Sequence, residues 1–258
     1  MKIFGDIELI DLAIYINRTL IVTDFHIGYE EALNKQGLMV PRFQFDEVIK
    51  RLDSIFKKLE GKKIERIIIN GDLKHEFGTI SAQEWRHTLK LLDYFGQNCK
   101  EIILIKGNHD AVLGPIAKKR NVKVLDHYVI NQIKEKTITK NPFKGIKNNK
   151  NNKKIFVIHG DSIPDKNLLK GISTIIIGHE HPAVSIRQAP RTELFKAFLT
   201  GKWRGKNIIA QPSFNLVTEG TDVLKEEILS PLLKNNLRNL NAIIVADKLY
   251  KFGKLGNL

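Results

Sequence analysis

Five short motifs carry most of the side chains in this chain that are suited to holding a metal ion. They are Asp24-Phe25-His26, Gly71-Asp72, Gly107-Asn108-His109-Asp110, His159-Gly160 and Gly178-His179-Glu180-His181, and five of the eight histidines lie inside them. Aspartate and histidine together, with Cys99 as the single cysteine and so no thiolate cluster, suit Mn²⁺ foremost, and also Fe, Zn²⁺ or Ni²⁺, rather than an oxygen-only Mg²⁺ or Ca²⁺ site. Two carboxylates, several histidines and an asparagine exceed what one four-coordinate ion can use. They suit two divalent ions sharing a carboxylate, with either Asp24 or Asp72 as the bridge. Two such ions, two aspartates and a bridging hydroxide leave a net charge of about +1, which draws an anionic substrate and stabilises in-line displacement at phosphorus. The hydroxide is the expected nucleophile, because metal binding brings the pKa of water down to about 7.

Side chains that must converge on a metal need rigid supports, and strand ends provide them. Most of the motifs follow a run of β-branched residues. IELIDLAIYI and RTLIVTDFHIG read as two strands around Asn17-Arg18, the second ending at Asp24. KIERIIINGD is a short apolar run typical of a buried parallel strand, and EIILIKGNHD, KIFVIHGD and STIIIGHEH repeat the pattern. Between them, Phe45, Val48, Ile49, Leu52, Ile55, Phe56 and Leu59 recur at helical spacing within 43–59. Ser81 with Glu84 forms a capping box for a helix to about Phe95, and a short helix is expected at 115–120 before the strand VKVLD. Beyond His181, AVSIRQ, KNIIAQPSF and NAIIVADKLYKFGKL read as antiparallel strands, forming part of a second sheet, a dimer surface, or both. The pattern predicts an α/β fold with two packed sheets, and no linker divides residues 1–258 into separate domains.

Composition bounds the setting. With 258 residues, 42% of them hydrophobic, the chain can bury a sizeable core. Asp6, Glu8 and Asp11 interrupt the N-terminal segment where a secretory leader needs an unbroken apolar stretch. No uncharged apolar run approaches the roughly 20 residues that span a bilayer, so a cytoplasmic protein without membrane contact is expected. The net charge of +14 fits a polyanionic partner or a lysine-rich background. Part of it sits in KNPFKGIKNNKNNKK, at about 140–154, whose low complexity and single aromatic (Phe143) suit a solvated insertion rather than a base-stacking surface.

Taken in order, the five motifs resemble the full series of the calcineurin-like metallophosphoesterases. That resemblance implies a β-sandwich of two mixed sheets flanked by helices, with the active site at strand ends. Carried over by position, it implies one metal held by Asp24, His26, Asp72 and His181. A second would be held by Asp72, Asn108, His159 and His179, with Asp72 bridging. His109 matches the histidine that assists the leaving group. The phosphoprotein-phosphatase branch has a second Asp after its Gly-Asp motif; His75 stands there in Gly71-Asp72-Leu73-Lys74-His75-Glu76. That histidine, with TDFHIGYE, QPSFN and Ser230-Pro231, is similar to a small prokaryotic nuclease-related branch that includes the DNA-ligase-associated phosphoesterases. The chain lacks the long capping region of the true repair nucleases.

The reading is therefore a binuclear-metal-dependent phosphoesterase, a phosphodiesterase rather than a monoesterase, acting on a phosphate ester that includes nucleotides or nucleic acid in its range. Nuclease action on DNA or RNA is the alternative, and a catalytically silent binding scaffold is the lesser one. His109, Asp110 and His75 are the candidate catalytic residues: Asp110 would hold His109 or close a turn, and His75 would touch substrate or support the site from behind. His87 and His127 read as structural or exposed, Trp85, Trp203 and Cys99 as packing residues. Arg42, Lys74, Arg191 and Lys202 are candidate phosphate contacts. A homodimer is compatible with the sequence.

Overall fold

The computed structural model describes residues 1–111, 113–131 and 153–257. The basic insertion expected at about 140–154 lies, but for its last two residues, outside them.

The first half alternates strands with helices. In order come β1 (Lys2–Ile3), β2 (Ile7–Ile10), β3 (Ala13–Ile16), β4 (Thr19–Val22), α1 (Tyr29–Lys35), α2 (Gln44–Lys58), β5 (Arg66–Asn70), α3 (Ala82–Asn98), β6 (Glu101–Ile105), α4 (Gly114–Lys119) and β7 (Lys123–Leu125). These strands form one sheet in sequential order. β1 to β4 pair antiparallel and β4 to β7 parallel. IELIDLAIYI, expected as a single strand, is instead the β2–β3 hairpin. Asp11 takes a positive φ of 54° there, a conformation that Asp accepts more readily than bulky residues.

The second sheet runs in the order β14-β11-β12-β13-β10-β9-β8, with β15 added to β12 and β16 to β15. Its strands are β8 (His127–Asn131), β9 (Lys154–Ile158), β10 (Ile172–Ile177), β11 (Pro182–Gln188), β12 (Arg191–Trp203), β13 (Lys206–Ala210), β14 (Thr221–Asp222), β15 (Asn241–Val245) and β16 (Leu249–Lys254). β9, β10 and β13 are parallel; β13–β12, β12–β11, β12–β15 and β15–β16 are antiparallel. The antiparallel portion beyond His181 is thus part of the second sheet, although β13 pairs parallel on its β10 side.

Side-chain alternation decides what each face of the second sheet touches. Ile155, Val157, Ile176 and Ile209 join the core shared with the first sheet and helices, whereas Phe156, Ile175, Ile177 and Ile208 face a second cluster closed by Leu232, Leu233 and Leu240. Val48, Leu52 and Ile55 of α2 and Leu91, Leu92 and Phe95 of α3 cover the first sheet from helical positions. Each such buried side chain contributes about 1.5–3 kcal/mol. Two mixed sheets flanked by helices is the architecture expected. The helices serve the first sheet, and irregular chain around Leu232–Leu240 covers the outer face of the second. Among the described residues, no helix is long and apolar enough to cross a membrane.

Candidate metal centre

β4, β5 and β6 are parallel in one sheet, and β9 and β10 are parallel in the other, so each set delivers its following turns to one edge. Asp24 and His26 follow β4, Asp72 follows β5, Asn108 and His109 follow β6, His159 follows β9, and His179 and His181 follow β10. Lateral backbone bonds lock these turns together: Asp24 N donates to Gly71 O (3.1 Å), His26 N to Asp72 O (3.0 Å) and Gly178 N to His159 O (2.8 Å). Asn70 Nδ2 donates to Ile158 O at 3.0 Å, tying the end of β5 to the end of β9 and so one sheet to the other.

The turns carry backbone strain. Asp24, His26, Asp72, His179 and His181 all have positive φ, between 45° and 62°. Non-glycine residues in that region cost energy and persist where surrounding structure over-determines them, commonly at functional sites. The motif glycines have a steric reason to be glycine. A Cβ on Gly107 would meet the Asp72 carboxylate, and one on Gly178 would meet Thr23 Oγ1 and Asp24 Oδ2.

Side chains converge on two carboxylates. Asp72 Oδ2 has His159 Nε2 at 3.4 Å, His26 Nε2 at 3.6 Å and His109 Nε2 at 4.0 Å. Asp24 Oδ1 has His181 Nε2 at 3.3 Å. Asn108 Oδ1 lies 3.1 Å from both His159 Nε2 and His179 Nδ1. Two donor sets, each with ligand atoms within 4.8 Å of one another, share Asp72: Asp24, His26, Asp72 and His181, and Asp72, His159 and His179. A third, His26, His75 and His109, has no carboxylate, and its His109 Nδ1 already contacts the His75 carbonyl.

The donors fit a cation. Asp24 Oδ1 is buried and has no hydrogen-bond partner among the described residues, while Oδ2 accepts from Thr23 Oγ1 (2.7 Å) and His179 N (3.1 Å). His26 Nε2 and His181 Nε2 face each other at 3.2 Å, close enough for both rings to serve one cation. Orientation is fixed from behind. His159 Nδ1 is 3.1 Å from Asn70 O, a contact in which it donates and which leaves Nε2 to face Asp72.

Electrostatics agree with that fit. Burial works against charge on Asp24, yet the facing His181 and His159 hold its pKa below the ordinary carboxylate value. Burial also opposes charge on Asp72, yet the hydrogen bond and charge of His159 hold its pKa well below the ordinary carboxylate value. Burial alone would lower His159, but its bond to Asp72 and the charges of both aspartates push it up to about 10. Burial, with His181 beside it, holds His26 well below the usual histidine range. His179 is lowered by burial and then by His159.

The candidate catalytic residues are placed less uniformly. His109 Nδ1 contacts the His75 carbonyl oxygen, leaving Nε2 toward Asp72. Asp110 does not orient His109. Its two oxygens accept from Gly107 N and Leu73 N, each at 3.1 Å, so it closes the turn and braces the neighbouring one. Burial and the charge of Asp72 push its pKa up to about 7. His75 stands behind His26, Nδ1 to Nδ1 at 3.4 Å, with Tyr29 packed on its ring. Burial and the charge of His109 lower the His75 pKa.

Among the candidate phosphate contacts, Lys74 is fully buried with its amine on the Glu76 carbonyl, and Lys202 is paired with Asn207 toward the far end of the second sheet. Arg42 and Arg191 are exposed outside the two donor sets. His87 stacks on Phe45 and His127 on Phe156, both in packing positions. Several residues singled out in the sequence have supporting roles that it did not disclose. Glu84 accepts from Ser81 N as the capping box predicts, but also from His75 N (3.1 Å) and Glu76 N (2.8 Å). The QPSFN segment places Phe214 N on Thr23 O and Asn215 N on Asp24 O, each at 2.9 Å. Ser230 bonds Glu180 Oε2 and Gly160 O, bracing two post-strand turns at once.

Comparison with known proteins gives the same frame. A family model described as calcineurin-like phosphoesterase matches residues 17–202. The structure is similar to that of Pseudomonas putida nuclease MPE, with a TM-score of 0.57 and 18% identity over 94% of this chain and 92% of that one. Weaker similarities include the E. coli phosphoesterase Yfce (TM-score 0.40, 13% identity, 92% and 97% covered) and Vacuolar Protein Sorting 29 from Cryptosporidium parvum (TM-score 0.38, 15% identity, 92% and 97% covered). At 18% identity the likeness to the nuclease is one of fold. A comparison with curated proteins finds no match.

Proposed function

The chain belongs to the calcineurin-like phosphoesterase family, and from that membership we infer that it is a binuclear-metal-dependent phosphoesterase acting on phosphodiesters. The single observation that carries the reading is the pair of donor sets meeting at Asp72. Asp24, His26, Asp72 and His181 would hold one divalent ion; Asp72, Asn108, His159 and His179 would hold the other, with Mn²⁺ the first candidate for both. When bound, the two ions supply Lewis acidity toward the phosphoryl oxygens and an activated water. Residues 1–258 act as one domain, since the second sheet contributes a face to each of the two cores.

His109 supplies what the ions do not. With Nδ1 donating to the His75 carbonyl, Nε2 is the nitrogen left toward the donor sets; when it too carries a proton, the ring would hydrogen-bond a phosphoryl oxygen and hand that Nε2 proton to the departing alkoxide. Asp110 keeps that turn in register, and His75 fixes the ring of His26. The position of His75 after the Gly-Asp motif supports diesters over phosphoproteins. The net charge of +14 favours nucleic acid as a second reading of the substrate, tested by salt-sensitive binding to long DNA or RNA. A silent scaffold fits poorly, because every ligand position is filled.

Purified protein with Mn²⁺ should hydrolyse bis(p-nitrophenyl) phosphate. His109→Ala should lose about 10²–10⁴-fold in rate while retaining its metal. A wild-type protein that neither binds nor responds to any divalent metal would overturn the reading.

A further inference from the structure

We propose that Phe77 is a stacking platform for an unpaired nucleobase next to the scissile phosphodiester, making single-stranded polynucleotide the preferred substrate; this rests on the phosphodiesterase reading above. Phe77 is 62% exposed, yet its ring lies 3.7 Å from the ring of His109, centroid to centroid, tilted by 33°. A large apolar ring left open to water is unremarkable when it stands alone on a surface. This one stands against the histidine that faces the metal donors.

The ring is also held in place. The Glu84 carboxylate, fully buried, accepts from the backbone of His75, Glu76 and Ser81, on both sides of Phe77. Lys74 places its buried amine on the Glu76 carbonyl, Thr79 N donates to Phe77 O at 2.8 Å, and Lys35 pairs with Glu76 at 3.4 Å. The backbone carrying the ring is therefore fixed before substrate arrives, so stacking on it costs little ordering entropy. The same Lys35–Glu76 pair brings the end of α1 beside this segment, and the connection that follows α1 exposes Leu38 and Met39 (55% and 97%) together with the cation Arg42. An exposed aromatic ring set against the histidine of a phosphate-directed centre matches the way proteins hold single strands by base stacking. A base already stacked within a duplex cannot reach such a ring unless it is extruded.

The test uses Mn²⁺-loaded wild type, Phe77→Ala and Phe77→Trp on DNA and RNA oligonucleotides whose linkages are methylphosphonates except for one cleavable phosphodiester. The nucleoside on either side of that linkage is intact or abasic, and duplex versions are run in parallel. Wild type is expected to prefer the intact over the abasic strand on one side by on the order of tenfold in kcat/KM, chiefly through KM. Phe77→Ala should lose that preference and Phe77→Trp should keep it. The inference is overturned if Phe77→Ala retains the preference, if it slows intact and abasic strands equally, or if wild type prefers the duplex. A wild type that hydrolyses bis(p-nitrophenyl) phosphate but ignores the base overturns this inference alone; one that hydrolyses neither overturns the phosphodiesterase reading with it.

Discussion

His75 illustrates how one residue serves the centre without facing substrate. Its carbonyl orients His109, and its ring Nδ1 backs His26 Nδ1, whose other nitrogen faces Asp72 and His181. His75→Ala keeps the carbonyl and removes only the support to His26. Outer supports of this kind are worth about 10–100-fold in metal affinity. A titration of activity against Mn²⁺ should show that loss as a higher metal requirement. A fall in kcat at saturating Mn²⁺ with an unchanged requirement would place the ring on substrate instead. The motif side chains were legible in the sequence because each follows an apolar run and ends in a metal-binding type. The partner of His109 was not: a backbone carbonyl has no sequence signature, and the adjacent Asp110 offered a false one.

Elements position the site through a few buried polar clamps, and two of them give separable predictions. Glu84 joins the start of α3 to the segment carrying His75 and Phe77. Glu84→Gln replaces one acceptor oxygen with a donor facing backbone N–H groups. It should lower stability by about 1–3 kcal/mol, read as a fall in Tm, and reduce kcat with metal content retained. The second clamp is Lys196 on β12, whose amine contacts Ser213 Oγ (3.0 Å) and the carbonyls of Thr218 and Glu219 (2.8 and 3.2 Å). Burial lowers its pKa from 10.5 to about 8. The neutral amine is thus the form the fold favours; its contribution is complete above about 10.5 and is lost as pH falls through about 8. Over that window the change is about 3 kcal/mol. Denaturant unfolding of wild type between pH 8 and 10.5 should show that slope, and Lys196→Met should flatten it; an unchanged slope would contradict the assignment. β12 itself was hard to read because it changes surroundings midway, exposed at Arg191–Glu193 and buried from Lys196 to Thr200 as it passes from β11 to β15. α1 was missed for a related reason: only Glu30 and Ala32 of its residues are buried, too few for a helical stripe.

At the scale of the whole molecule, two parallel strand sets from different sheets bring their ends to one edge; Asn70 and QPSFN fasten those ends across the sandwich, and Ser230 ties the β9 and β10 turns within the second sheet. The alternation of Ile155 and Val157 against Phe156 announced a sheet buried on both faces, but not that irregular chain, rather than helices, covers its outer side. Such cover is set by Leu232, Leu233 and Leu240, scattered through a segment with no period. A centre assembled from both sheets links metal binding to global stability. Saturation at about a thousand times Kd adds about 4 kcal/mol, so chelation should lower Tm by several degrees. The most direct measurement is metal content per chain in wild type and in Asp72→Asn, determined by elemental analysis after dialysis against Mn²⁺. A shared carboxylate predicts two ions in the wild type and the loss of both together in Asp72→Asn. One ion in the wild type, or two retained without Asp72, would contradict it.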